Sequence, residues 1–411
     1  MTTEKLYRRI RETSINIVQT GVESVRRKDI SHTGLRIYKD GYIGIAGAIG
    51  VRDEAELLKE AEAALDNGIV YEPLPAADLQ QHLDAGSDLP EGEELVREAE
   101  EFLAVLRKEH PGFIFSNKLN LVQREQSLSN DRGLSLSMKD RFISAGLIFK
   151  EKTSASILDG FIEFESRKYD RKQLLAYIGR ICGAFREKAE LPREGRYPVI
   201  FSALAGAPLM KFATELNGRL FAKGGSLFSG QRGKPIFSPR FTLYQSRAAQ
   251  DNVEVFFDAE GTVQPDFRIP LIKEGVLLQP YTDKKVALEF DLPLTGAAIS
   301  DYDGVPTLPA SLGNLSVEEG GGTVRELLGG EKGILVLISN GGDFTPDGKF
   351  AAPVQLSFLY DGENIVGRLP ELQVSSDVYE MFGPAFRGAG KDRLNALSLE
   401  RHMVMDLTVS K

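Results

Sequence analysis

The sequence has few of the residue types that bind zinc or act as general bases. Its 411 residues include one cysteine, four histidines and no tryptophan. The single cysteine, Cys182, excludes an internal disulfide framework and cannot supply the paired thiolates of a structural zinc site. The histidines are His32, His82, His110 and His402, and no two of them have the spacing of a metal site on one helix.

The sequence also lacks long apolar runs and an excess of positive charge. No stretch reaches the roughly 18 consecutive apolar residues of a membrane-spanning helix. Residues 1–16 carry four basic side chains without an apolar core, so they do not resemble a signal peptide. The net charge of −9 argues against nucleic-acid binding, which usually requires a basic face. We therefore expect a cytoplasmic protein that contacts neither a membrane nor a nucleic acid.

The beginning of the chain shows apolar residues at helical spacing, followed by a hairpin signal. Leu6, Ile10 and the apolar residues up to Val25 predict an amphipathic helix over residues 1–28. The Asp40-Gly41 pair lies between apolar residues and predicts a β-hairpin with a type I′ turn. Two charged, periodic stretches then predict surface helices over residues 52–67 and 91–108, joined by a connection rich in proline, aspartate and glycine.

Between Phe113 and Tyr169 the apolar residues alternate with polar ones, as in strands of a half-buried sheet. This alternation predicts an antiparallel meander of roughly four strands, with turns at residues 130–133 and 159–160. The strands are Asn120–Gln126, Gly133–Met138, Arg141–Phe149 and Ile157–Glu165. A helix over residues 171–188 follows, and Cys182 lies beside its apolar face, which indicates a buried small side chain and not a reactive thiol.

A proline and a glycine within residues 191–196 interrupt the periodic segments and predict a domain boundary. The N-terminal domain would comprise residues 1–192 and the C-terminal domain residues 193–411. The second domain opens with a strand, Tyr197–Phe201, and a helix over Ala207–Leu220. The rest of it is strand-like. Its hairpin signals are Glu274-Gly275, Asp347-Gly348 and Asp361-Gly362. Its short predicted helices are Lys284–Glu289, Thr323–Leu328 and Asp377–Phe382. The expected fold class is α+β, with a mixed α/β N-terminal domain that contains the meander and a mostly β C-terminal domain.

Several short motifs fail when they are checked residue by residue. Gly390-Lys391 resembles part of a phosphate loop, but Ala385 and Asp392 replace its glycine and its hydroxyl residue. Residues 301–304 resemble the start of a calcium loop that lacks its closing glutamate. The serines of the stretch GGSLFSG do not form a nucleophile elbow. We therefore assign no catalytic, cofactor-binding or metal-binding residue from these motifs.

The region from Leu191 to Gly296 contains an ordered series of motifs. They read LPREGRYPVIFS, then GGSLFSGQRGKPIFSPRFTLYQ, then VEVFFDAEGTVQPDFRIPLIKEGVLLQPYTDKKVALEFDLPLTGAA. The residues that carry the pattern are Asp258, Glu260, Gly261, Leu271, Ile272, Gly275, Val276, Leu277, Ala287, Thr295 and Gly296. In this order the motifs resemble the TldD/PmbA peptidase family, whose members have also been named modulators of DNA gyrase.

The resemblance implies that the zinc ligands of the family have been lost here. TldD-type members carry HExxxH on the helix after the Pro-Val strand and a cysteine late in the chain, which together bind zinc. In this sequence Lys211, Phe212 and Leu216 stand at the HExxxH positions. No histidine occurs between His110 and His402, and no cysteine follows Cys182. The chain is thus similar to the TldE/PmbA-type members, which have the same loss.

The resemblance further implies a function, and the sequence leaves alternatives to it. The implied protein is a non-catalytic subunit that pairs with a TldD-like HExxxH subunit, in a zinc metallopeptidase complex that processes or degrades unfolded peptides. No metal or cofactor is expected in this chain. The first alternative is a stand-alone peptide-binding or scaffolding homodimer. An enzyme with other chemistry and a DNA- or gyrase-binding regulator are the others.

Overall fold

The chain folds as an α+β protein, as the sequence predicts. A computed structural model describes residues 1–191, 193–201, 207–399 and 401–411. Within these residues the strands form one seven-stranded, one four-stranded and one nine-stranded sheet. No helix of the described residues is long and apolar enough to cross a membrane.

The seven-stranded sheet is built from the first part of the chain. Its strands are β1 (Thr2–Val18), β2 (Gly21–Lys39), β3 (Tyr42–Ile49), β4 (Gln80–Ala85), β5 (Phe113–Asn130), β6 (Ser135–Glu151) and β7 (Gly160–Ser166). The strand order is β3-β2-β1-β5-β6-β4, and β7 also pairs with β6. The helices of this part are α1 (Glu54–Ala63), α2 (Gly92–Glu109) and α3 (Arg171–Arg186). Each helix lies within or close to its predicted span.

The amphipathic helix predicted for residues 1–28 is wrong, because this segment forms the β1–β2 hairpin. A spacing of four residues, as between Leu6 and Ile10, fits one face of a helix and also one face of a strand. The two turn residues between these strands, Gln19 and Thr20, have positive φ values of 49° and 63°. Glycine or asparagine usually occupies such positions, and neither of these turn residues is one of them. The local sequence therefore contains no signal for the turn that separates β1 from β2.

The predicted meander exists but has three strands and not four. The segments Gly133–Met138 and Arg141–Phe149 belong to one continuous strand, β6, which runs through Lys139-Asp140. Asp140 is 4% exposed and forms ion pairs with Arg124 and Arg167 at 2.9 and 2.8 Å, so a charged residue lies inside the strand. Strand β4 was not predicted; it lies in the polar connection and pairs in parallel with β6. By contrast, the predicted hairpin at Asp40-Gly41 is confirmed by the β2–β3 pairing.

The remaining strands form the other two sheets. They are β8 (Gly195–Phe201), β9 (Leu243–Ser246), β10 (Arg268–Lys273), β11 (Val276–Leu277), β12 (Leu315–Val317), β13 (Gly333–Ile338), β14 (Asp343–Phe344), β15 (Lys349–Val354), β16 (Leu356–Tyr360), β17 (Ile365–Arg368), β18 (Leu372–Asp377), β19 (Phe386–Ala389) and β20 (Met403–Ser410). The four-stranded sheet has the order β11-β10-β9-β12. The nine-stranded sheet has the order β14-β15-β18-β20-β8-β13-β16-β17, and β19 pairs with β20.

Short helices connect these strands. They are α4 (Ala207–Glu215), α5 (Gly218–Ala222), α6 (Lys284–Phe290), α7 (Val324–Leu328) and α8 (Val378–Phe382). The single helix predicted for residues 207–220 is divided, because the Asn217 side chain accepts the N–H groups of Arg219 and Leu220 and thereby starts a new helix. The three predicted hairpins and the other three predicted helices of this half are confirmed.

One hydrophobic cluster joins the two halves of the chain. It includes Phe149 and Phe185 from the first half together with Leu335 and Phe358 from the second. The expected division at residue 192 stays a prediction, and Pro192 itself lies outside the described residues.

Candidate functional site

Helix α4 occupies the place where the resemblance puts the zinc-binding helix. Lys211 Nζ lies 2.7 Å from Glu215 Oε1, and both side chains are at most 10% exposed. Lys211 also donates to the Thr345 carbonyl oxygen at 3.1 Å, and Glu215 Oε2 accepts the Leu227 N–H at 2.7 Å. The carboxylate of this turn is therefore already neutralised by an ammonium group, which leaves no free acidic ligand for a cation.

The other two motif positions on α4 belong to the hydrophobic core. Phe212 is fully buried and lies in an aromatic cluster with Phe228, Phe237, Phe241 and Phe382, at centroid distances of 4.6 to 5.5 Å. Leu216 is fully buried as well. The residue that stands in the general-base position is thus a packing residue, so these positions of α4 do not provide the donor set that zinc requires.

Cys182 and His402 are buried elsewhere in the fold. Cys182 is 1% exposed, as predicted, and burial raises the pKa of its thiol to about 12. Burial lowers the pKa of His402 to about 4, so its imidazole is neutral in the folded protein. Within the described ranges, no three His, Cys, Asp or Glu side chains converge as a metal site would require.

A cleft of about 580 Å³ lies between the seven-stranded and the four-stranded sheet. We call it the inter-sheet cleft. Its floor comes from β5, β6 and β7, and one side is formed by residues 313–317 around β12. Residues 251–254 form a second wall. Phe201 at the end of β8 and Leu209 on α4 also line it, so the cleft reaches the helix that carries the degenerate motif.

The charged residues of the inter-sheet cleft are mostly acidic. Among the described residues, the carboxylates of Glu163, Glu165, Asp251 and Glu254 line it, against the cations of Lys118 and Arg401. None of these residues was predicted as functional. The only sequence signal was the alternation of Glu163 and Glu165 on the exposed face of a predicted strand, and such alternation is common in ordinary sheets.

Sequence comparison identifies the family. The profile described as PmbA/TldA metallopeptidase C-terminal domain matches residues 194–399, and the profile of PmbA/TldA metallopeptidase domain 1 matches residues 6–68. The chain belongs to the TldD/PmbA family. No curated protein matches the chain in sequence.

Solved structures share the fold over the whole length of this chain. TldE from Thermococcus kodakarensis is similar with a TM-score of 0.77 and 18% identity, covering 100% of this chain and 97% of that one. A putative modulator of DNA gyrase from Thermotoga maritima is similar with a TM-score of 0.78 and 14% identity, covering 100% of this chain and 96% of that one. A putative modulator of DNA gyrase from Bacteroides thetaiotaomicron is similar with a TM-score of 0.72 and 18% identity, covering 100% of this chain and 94% of that one. At these identities the likeness establishes the fold.

The acidic residues of the TldD/PmbA pattern stabilise loops. Asp258 Oδ1 accepts the N–H groups of Glu260 and Thr262 at 3.0 and 2.8 Å, and its Oδ2 accepts that of Ala298 at 3.1 Å. Glu260 accepts the Tyr71 hydroxyl and, at 2.8 Å, the N–H at the start of α6. Burial, together with the charge of Asp258, raises the pKa of Glu260 to about 8.

A glycine of the same family pattern permits a close approach of two loops. Gly275 has a φ of 78°, and a Cβ atom there would lie 2.3 Å from the Phe237 carbonyl oxygen. A larger residue would therefore push apart the β10–β11 turn and the segment beside the aromatic cluster. The contacts of Asp258, Glu260 and Gly275 therefore hold neighbouring loops of the fold together.

Proposed function

We propose that this chain is a non-catalytic, TldE/PmbA-like subunit of a TldD/TldE-type zinc metallopeptidase complex that processes or degrades unfolded peptides. The observation that carries the proposal is the Lys211–Glu215 ion pair, with Phe212 in the core, at the place of the family's zinc motif. The chain retains the family fold around these positions, and a cleft still reaches α4. Because the residues at these positions do not fit zinc, the zinc-dependent step belongs to the partner subunit in this proposal.

The partner in this proposal is a TldD-like subunit that carries HExxxH. The C-terminal half would supply a mostly apolar interface of more than about 2,000 Å², the size of obligate interfaces. Its exposed apolar side chains include Met210, Leu288 and Ile299, which are 56%, 63% and 50% exposed. We place the complex in the cytoplasm, which suits a chain with one cysteine.

A mixing experiment tests the proposal. The chain is combined with the HExxxH paralogue of the same host, followed by size-exclusion chromatography and an assay with an unfolded peptide. We expect a complex whose peptidase activity exceeds that of the paralogue alone. If no complex forms and the paralogue is fully active by itself, the silent-subunit proposal fails.

The second candidate is a stand-alone peptide-binding homodimer. It is favoured by the inter-sheet cleft, whose volume of about 580 Å³ lies in the range of ligand-binding pockets. In that case the chain elutes as a dimer, binds peptides without the paralogue and leaves the activity of the paralogue unchanged.

A further inference from the structure

One edge of the four-stranded sheet opens into the inter-sheet cleft. Strand β12 lies at the end of the strand order, and among the described strands only β9 pairs with it. The Glu318 N–H donates to the Thr242 carbonyl oxygen, and the Ser246 N–H donates to the Asn314 carbonyl oxygen. The main-chain N–H and C=O groups of residues 314, 316 and 318 therefore face β9. Because antiparallel pairing alternates along a strand, the N–H and C=O groups of Leu315 and Val317 point away from β9. These are the groups to which another strand can bind.

The floor below this edge is polar and open. Register places Lys118, Gly146 and Glu163 in one row across β5, β6 and β7, and Asn120, Ser144 and Glu165 in the next. A Cβ atom on Gly146 would meet only Asn117 Nδ2 at 3.8 Å and Glu163 Oε1 at 3.9 Å. The small residues in the middle of the floor therefore leave room above the sheet for a ligand.

The two floor carboxylates have no described cation within ion-pairing distance. Neither Glu163 nor Glu165 forms an ion pair with another described residue, whereas Arg401 is paired with Glu319 at 2.8 Å. Burial raises the pKa of both carboxyls. The charges of Glu254 and Glu163 raise the pKa of Glu165 further, whereas the charges of Arg124 and Arg167 lower it. A cation placed between them would relieve this repulsion.

A buried amide without a partner also lines the cleft. Asn314 is 7% exposed, and its Nδ2 makes no hydrogen bond to the rest of the described structure. Because a buried donor without a partner is costly, such groups in native proteins usually serve a ligand or an ordered water. Asn314 directly precedes β12 and lines the inter-sheet cleft beside the free edge of that strand.

We propose that the inter-sheet cleft binds an extended peptide segment with lysine or arginine at alternate positions. The peptide main chain pairs with the free edge of β12, as in other cases of strand addition. Alternate side chains of an added strand point to the same face, so every second residue faces Glu163 and Glu165. This inference rests on the proposed function only in taking a peptide as the ligand.

Fluorescence anisotropy with the full-length chain and labelled peptides of about seven residues tests the inference. The probe alternates lysine with threonine, and its matched control replaces each lysine with glutamate. Two further peptides keep the lysines and carry N-methyl groups on alternate residues, one on the lysines and the other on the threonines. We expect the lysine peptide to bind at least about tenfold more tightly than the glutamate peptide. Methylation should abolish binding in the register whose N–H groups face β12.

Two variants of the chain locate the binding site. Glu163→Gln/Glu165→Gln should weaken binding of the lysine peptide by about tenfold, since each partly exposed charge pair contributes modestly. Gly146→Leu should block binding, because the new side chain enters the cleft without a backbone clash. Its control is Gly183→Leu on the exposed face of α3, where a Cβ meets nothing within 4 Å. The control should bind like the unchanged chain.

The outcomes separate this inference from the proposed function. If both peptides bind equally, or if the two glutamine substitutions change nothing, the inference is overturned even when the complex with the HExxxH paralogue forms. If binding survives methylation in both registers, strand addition is wrong. If the lysine peptide binds as expected but no complex forms, the inference holds and the silent-subunit proposal fails.

Discussion

At the scale of single residues, Glu260 connects the two halves of the chain through a buried carboxyl. Its side chain accepts the Tyr71 hydroxyl and the Lys284 N–H. The pKa of about 8 in the folded protein lies above the value of roughly 4.3 expected for an unfolded chain. The folded state therefore binds more protons than the unfolded state between these values. The resulting stabilisation is complete below the unfolded pKa and is lost as the pH rises through about 8.

The substitution Glu260→Gln should remove this dependence on pH. The glutamine amide can donate to the Tyr71 hydroxyl while its oxygen accepts the Lys284 N–H, as a neutral carboxyl would. We expect the free energy of unfolding of the unchanged chain to fall by about 2–4 kcal/mol between about pH 5 and pH 8, and that of the variant to fall much less. Urea unfolding at several pH values measures both. Glu62→Gln on the exposed face of α1 is the control, and equal slopes in all three proteins would contradict the assignment.

The Lys211–Glu215 pair gives a second prediction at this scale. Lys211→Met leaves Glu215 buried without its cation, which should cost about 3–5 kcal/mol of unfolding free energy. The double variant Lys211→Met/Glu215→Gln removes the charge as well and keeps an acceptor for the Leu227 N–H, so it should recover most of that loss. Denaturant unfolding of the two variants makes the comparison. A single variant as stable as the double one would show that the pair is not buried as described.

At the scale of secondary-structure elements, local signals predicted most helices and hairpins of the fold. The helix Val378–Phe382 begins where Asp377 accepts the N–H groups of Tyr379 and Glu380, and such caps are visible in a sequence. Strand β1 was missed, because its apolar spacing fits a helix as well. Pairing with β2 and β5 makes this segment a strand and not a helix. Strand β5 is distant in sequence, and β2 is joined to β1 by an unusual turn, so neither partner is visible in the local sequence.

The candidate site depends on contacts that no local pattern encodes. The inter-sheet cleft brings β7 and β12 together, although about 150 residues separate them. Similarly, Arg36 is fully buried and donates to Glu4 at 3.1 Å and to the Ala259 carbonyl at 2.6 Å. From the sequence, Arg36 is only a polar residue between two apolar ones in a strand. What the sequence did supply was the family resemblance and the loss of the zinc ligands that it implies.

The α4 helix allows a prediction for the element as a whole. Restoring the motif with Lys211→His, Phe212→Glu and Leu216→His should create neither a zinc site nor a peptidase. Phe212 and Leu216 are fully buried, so a new carboxylate and a new imidazole would enter the core and destabilise the chain by more than about 4 kcal/mol. Thermal unfolding and a peptidase assay measure the two effects. Lys211→His alone is the control, and zinc-dependent cleavage by the triple variant would contradict the prediction.

At the scale of the whole molecule, zinc content distinguishes this chain from its proposed partner. The isolated chain should contain well under about one zinc ion per molecule, because structural and catalytic zinc sites need three or four protein ligands. A chelator should leave its melting temperature unchanged, since nothing that stabilises the folded state is removed. In the complex with the HExxxH paralogue, the same chelator should abolish peptide cleavage. Elemental analysis, thermal unfolding with and without EDTA, and the peptidase assay test these expectations together. Stoichiometric zinc in the isolated chain would show that its residues bind the metal in an arrangement different from the one around Lys211 and Glu215, and the non-catalytic role would then be wrong.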